Sequence, residues 1–148
     1  MQPVEKEAGL QAIGRSKGGL STKIHAICDA LGNPTDFHLS VGQAHDLEGA
    51  DIFLEDFVAG ALLADRAFDA DGRVLEKLAK KGVEAVIPPK SNRTEPREYD
   101  KELYKARHLI ENFFARLKHY RAIATRYDKL ASTFLGGIFL ASAVIWLN

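Results

Sequence analysis

The sequence predicts an α/β fold built on a mixed sheet, and three features carry that expectation. Two alternating apolar segments flank a Gly-Asn-Pro turn, as in an antiparallel hairpin. Two short apolar runs of strand length are separated by a stretch of helical periodicity. The last third of the chain reads as two long helices. At 148 residues and 46% hydrophobic content, the chain can build the core of one domain and does not have the composition of a disordered protein.

Residues 1–19 are polar, without apolar periodicity, and end in Gly14-Arg15-Ser16-Lys17-Gly18-Gly19. They read as a flexible lead-in to a domain covering residues 20–148. From Leu20 to Asp29, Ile24, Ala26 and Cys28 alternate with Lys23, His25 and Ile27. Gly32-Asn33-Pro34 then supplies a turn before Phe37-His38-Leu39-Ser40-Val41, which completes the hairpin. Asp46 can cap a helix over about 46–58, in which Leu47, Ala50, Ile52, Phe53, Leu54 and Phe57 recur at near-helical spacing. Ala61-Leu62-Leu63-Ala64 is too short for a helix and suits a buried parallel strand that ends at Asp65. A helix over Ala70–Lys81 should close at Gly82, with Lys80 and Lys81 favoured in the last turn by the helix dipole. Val83–Ile87 reads as a strand stopped by Pro88-Pro89. After a charged loop come helices over about Asp100–Tyr120 and Ala131–Leu147.

Twenty basic and twenty acidic residues cancel, so the chain as a whole is not a basic nucleic-acid binder. The balance hides a gradient. Residues 28–88 carry five positive and twelve negative side chains, whereas residues 89–148 carry eleven and six. That division suits metal-binding carboxylates beside a phosphate-binding surface. The single cysteine, Cys28, excludes an intrachain disulfide framework and a multi-cysteine zinc site. The first fourteen residues lack the apolar core of a signal peptide, so a reducing cytoplasm is the expected compartment. The longest apolar stretch, Phe134–Leu147, is fourteen residues. A membrane span needs about 20, so a buried helix is expected rather than a membrane segment.

The long helix carries the most informative spacing. Tyr104, Arg107, Glu111 and Lys118 are 3, 4 and 7 residues apart. At about 100° per residue they fall within an arc of roughly 60°. Such a stripe can look into a cleft, or it can be a solvated face with an Arg107–Glu111 pair. Asp65 at a strand's carboxyl end stands where open α/β sheets gather functional side chains, although aspartate is also an ordinary loop starter there. A pair of carboxylates offers hard-oxygen ligation of Mg²⁺ or Mn²⁺, and such a site needs a third. The stretch Arg116–Lys129 holds Arg116, Lys118, Arg121, Arg126 and Lys129 with Tyr120 and Tyr127 between them, against one acid, Asp128. Such a run is most often a solvated surface, and beside a site acting on nucleic acid it would suit contact with the phosphate backbone. Gly14–Gly19 has the spacing of a P-loop, but Leu20 stands where the lysine is required. The five histidines lack zinc-ligand spacing.

These residues resemble a known family. Tyr104-x2-Arg107-x3-Glu111-x6-Lys118 resembles the Y-R-E-K signature of bacterial insertion-sequence transposases of the DDE type, and Asp65-Arg66-Ala67-Phe68 resembles their D-x-(G/A)-(Y/F) signature. The likeness extends through Gly14–Lys23, Gly42-Gln43-Ala44-His45-Asp46, Ile87-Pro88-Pro89 and Ile123–Lys129, and so covers the chain from Ile13 to Asn148. It implies a ribonuclease H-like fold, two divalent ions, and hydrolysis and strand transfer at insertion-sequence ends. Asp65 and Glu111 would be catalytic and would ligate metal. Tyr104, Arg107 and Lys118 would hold DNA near the scissile phosphate, with Arg121, Arg126 and Lys129 as further DNA contacts.

One departure accompanies the likeness. The family's first aspartate is expected on a strand upstream of Gly14–Gly19, whereas the first aspartate of this chain is Asp29, downstream of that segment. The resemblance is therefore to a catalytic domain whose first, central strand is missing, like the downstream-frame product of a two-frame element. Its implied partners are transposon-end and target DNA, an upstream-frame segment supplying the first aspartate, and a second copy in a dimer on DNA, with no membrane. Activity is expected only when the chain is joined to that segment. The alternative is a non-catalytic truncated fragment that binds DNA or inhibits full-length transposase.

Overall fold

The computed structural model describes residues 12, 14–16, 19–126 and 130–147. The fold is α/β, with two small sheets flanked by helices. It divides into two compact units, residues 1–44 with 109–148, and residues 45–108.

In the first unit β1 (Gly14–Ser16), β2 (Gly19–Cys28) and β3 (Pro34–Val41) form an antiparallel sheet in that order. The expected hairpin is present, with a register running from Thr22 opposite Val41 to Ile27 opposite Asp36 and an irregularity at Cys28. Its turn is set by Asp29, whose Oδ1 accepts from the backbone N–H groups of Leu31 and Asn33, both at 2.9 Å. Gly32 has φ +85°, and a Cβ there would stand 3.1 Å from Leu109 Cβ, so both conformation and space call for glycine. The lead-in is corrected in part. Gly14–Ser16 is a strand paired with Gly19–Ser21 instead of loop, while residues 1–11, 13, 17 and 18 lie outside the described residues.

The C-terminal helix has the expected bounds, Ala131–Leu147. It packs Phe134, Ile138 and Ala141 against Phe37 of β3 and against Phe113 and Leu117, which belong to the helix His108–Leu117. Phe37 meets Phe113 with ring centroids 5.8 Å apart, and meets Phe139 edge-on at 5.2 Å.

In the second unit α1 (Leu47–Phe53) ends earlier than expected. Lys81 Nζ donates there to the carbonyls of Leu54 and Glu55, which satisfies backbone groups left over at the helix end. The Asp46 side chain makes no first-turn cap. His45 Nδ1 takes that role, accepting from Leu47 N at 3.3 Å. β4 (Ala61–Leu63) and β5 (Glu84–Val86) pair in parallel, as a short apolar run followed by a helical crossover requires. The crossover opens with a π-helical turn, Asp71–Leu75, and continues as α2 (Glu76–Lys80). It is closed by Gly82 at φ +69°. Leu47, Ala50, Leu54, Val74, Leu78, Val83 and Ile87 form the core of this unit.

Two expectations about architecture are corrected. A mixed sheet needs a strand with a parallel neighbour on one edge and an antiparallel neighbour on the other. No described strand has both, and the chain forms an antiparallel sheet and a separate parallel pair, each over its own apolar cluster. The single helix expected over 100–120 is three pieces: α3 (Lys101–Tyr104), a 3₁₀ turn (Lys105–Arg107) and α4 (His108–Leu117). His108 Nδ1 lies 2.8 Å from the Lys105 carbonyl oxygen, a local side-chain bond that favours the tighter turn. A uniform 100° per residue therefore does not run from Tyr104 to Lys118. A short helix, α5 (Arg121–Ala124), precedes α6, the helix Ala131–Leu147.

Candidate functional site

Parallel pairing brings the carboxyl ends of β4 and β5 to one edge. Leu63 stands opposite Val86, and Ala64 N donates to Val86 O at 3.3 Å. Asp65 emerges directly beyond. Its Oδ1 accepts from Ala67 N at 3.0 Å and so caps the 3₁₀ turn Arg66–Phe68. Its Oδ2 accepts from the Arg107 guanidinium at 3.3 Å. Both side chains are reachable by solvent, Asp65 at 42% and Arg107 at 25% exposure. An anion or cation could therefore reach either partner from water. Tyr104, one 3₁₀ turn before Arg107, packs edge-on against Tyr99 with ring centroids 5.6 Å apart.

Four residues beyond Asp65, Asp69 anchors a cluster that sequence reasoning missed. The Asp69 side chain is only 1% exposed. It accepts from Lys90 N at 2.7 Å, from Arg93 Nε and a terminal nitrogen at 3.1 Å each, and from Arg97 at 3.0 Å. Burial pushes the Asp69 carboxyl up, but the hydrogen bonds from Arg93 and Lys90 and the charge of both arginines outweigh it and hold the group below the ordinary carboxylate range. Arg93 also pairs with Asp71, and Arg97 also donates to Ile87 O at 2.6 Å. The only sequence signal was two acids at 69 and 71 and two arginines at 93 and 97, too common a pattern to pair across more than twenty residues.

Glu111 and Lys118 belong to the other unit. Both are exposed, seven residues apart on α4 and its last turn, where Lys118 N still donates to Phe114 O at 3.0 Å. They share a helical face there. Arg116 and Arg121 are exposed as well. Arg126 is placed differently. It donates to Thr22 Oγ1 at 2.6 Å and lies 5.0 Å from the Phe134 ring centroid, both contacts within its own unit. Lys129 lies outside the described residues.

Other chemistries find little support. His25 Nε2 is 2.7 Å from Ser40 Oγ, but both residues are buried in the hairpin, at 8% and 7% exposure. Burial, and then the charge of Asp29, push the Cys28 thiol up to about 11, which leaves it a poor nucleophile. Among the described residues no group of three or more His, Cys, Asp or Glu side chains could hold a metal ion. Asp65 and Glu111 are each a hard-oxygen donor of the kind Mg²⁺ or Mn²⁺ prefers, and they belong to different units. No helix among the described residues is long and apolar enough to cross a membrane.

The chain is similar to known proteins over most of its length. The family described as Transposase DDE domain matches residues 5–146. A Brucella ovis protein named as a transposase for insertion sequence element IS6501 is 38% identical over 132 residues, covering 87% of this chain and all of the relative. No solved structure matches significantly.

Proposed function

The chain belongs to the transposase DDE domain family, and from that premise we propose that it is the catalytic portion of an insertion-sequence transposase with a ribonuclease H-like ancestry, cutting and joining DNA phosphodiesters at element ends. The observation that supports this most is the Asp65–Arg107 contact. The two residues come from different signatures, lie 42 positions apart, and meet at the carboxyl edge of the parallel strands. That edge is where α/β folds bind ligands.

In this reading Asp65 and Glu111 are the two carboxylates that this chain brings to the divalent ions used by DDE domains. When bound, such ions polarise the scissile phosphate and steady the attacking and leaving oxygens. The chain's own cations do the positioning. Arg107 beside Asp65 can hold a phosphate oxygen in a forked contact, while Lys118 and Arg121 on the other unit offer point and fork charges to the backbone. Tyr104, steadied by Tyr99, adds a hydroxyl donor. The third carboxylate would come from an upstream-frame segment, and a dimer on DNA would bring two ends together, in a cytoplasmic setting.

The test is to fuse an upstream segment carrying a strand that ends in aspartate, and to assay cleavage of labelled element ends with Mg²⁺. Asp65→Asn and Glu111→Gln should each abolish cleavage while leaving DNA binding in place. Cleavage retained by either variant would remove that residue from the site. A fusion that binds DNA but never cuts would select the alternative, a non-catalytic fragment that binds DNA or inhibits full-length transposase.

A further inference from the structure

The segment leaving β5 has no regular secondary structure from Ile87 to Asp100, yet it is held as firmly as a core element at its start. Ile87 is fully buried. Arg93 N donates to Lys90 O at 3.2 Å and closes a turn over Lys90-Ser91-Asn92-Arg93. Asp69 grips that turn from both ends, through Lys90 N and through the Arg93 guanidinium, and Arg97 ties the same carboxylate to the Ile87 carbonyl. A buried ionic cluster of this kind is a poor source of stability compared with apolar packing, and here its hydrogen bonds constrain geometry. What it fixes here is the turn.

The charges divide in a telling way. Arg93 is paired with Asp69 and Asp71, and Arg97 with Asp69. Lys90 contributes only its backbone N–H to the cluster, and its ammonium has no ion-pair partner among the described residues. Ser91 and Asn92 are exposed at the tip. A rigid turn thus presents one uncompensated cation, a hydroxyl and an amide, all potential donors, at the strand edge that carries Asp65. Phosphate oxygens accept such contacts, which position DNA without reading its sequence.

We propose that the Lys90–Arg93 turn is a contact finger for DNA backbone phosphate beside Asp65, with Asp69 as its positioning residue. This rests on the reading of the chain as a DNA-acting protein. The test uses the full chain and a short fluorescein-labelled duplex, with affinity measured by anisotropy across a salt series. Lys90→Gln should weaken binding several-fold and flatten the log–log salt slope by about 0.9, the share of one phosphate. Asp69→Asn should weaken binding comparably, and adding Lys90→Gln to it should cause little further loss, since a displaced finger has no contact left to lose. Arg93→Gln is the second route to the same non-additivity if Asp69→Asn does not fold. An unchanged slope in Lys90→Gln overturns the finger and leaves the DNA reading standing. Fully additive losses overturn the role given to Asp69. No binding by the unaltered chain overturns the DNA reading, and the finger with it.

Discussion

The guanidinium of Arg126 lies 5.0 Å from the centre of the Phe134 ring and donates to Thr22 Oγ1 at 2.6 Å. One side chain thereby ties the segment after α5 both to the first turn of the C-terminal helix and to the start of the hairpin. Arg126→Ala should lower the unfolding free energy by about 1–2 kcal/mol, combining a partly buried cation–π contact with a charge-assisted hydrogen bond. Urea unfolding checks this. If DNA affinity falls while the urea midpoint stays fixed, Arg126 acts on DNA instead.

Asp65 and Arg107 should separate function from stability. Their pair is 42% and 25% exposed, and exposed pairs contribute about 0–1 kcal/mol. Asp65→Asn should therefore shift thermal unfolding very little while eliminating end cleavage in the fused protein. A loss of several degrees in Tm would mean that the residue is structural.

Asp69 makes stability depend on acidity. Its carboxyl is held below the ordinary value of 3.8 in the folded protein. The stabilisation is therefore fully present above that value and is lost as pH falls below it, when the folded carboxylate takes up its proton. Unfolding free energy measured from pH 6 to pH 2 should fall over this acidic range, and the fall should be smaller in Asp69→Asn.

The C-terminal helix offers an internal control. Ile138 is fully buried, so Ile138→Ala should cost about 2–5 kcal/mol through lost burial and a cavity. Leu140, two residues on, is 70% exposed, and Leu140→Ala should change stability by no more than about 0.5 kcal/mol. Equal losses at the two positions would contradict the face assigned to this helix.

Local patterns were legible. The hairpin followed from alternation and a Gly-Asn-Pro turn, the strand before Asp65 from its length, the closure at Gly82 from glycine's access to positive φ, and the last helix from a predominantly apolar stretch too long for a strand. The break at Lys105–Arg107 was not legible, because the residues there are ordinary helix formers and a side-chain bond from His108 accompanies the tighter turn. The helix cap at His45 in place of Asp46 likewise depends on which ring nitrogen reaches a backbone N–H.

The order of residues by itself determined which side chains can ionise, which segments can be strands or helices, and which family the chain belongs to, because these depend on composition, periodicity and fixed spacings. Tertiary structure alone decided that Asp65 meets Arg107, that Asp69 gathers two arginines, and that Arg126 meets Thr22 and Phe134. Each of these depends on groups 28 or more positions from the farthest partner. Such pairings arise only after burial has chosen which backbone segments lie side by side, and no local propensity encodes that choice.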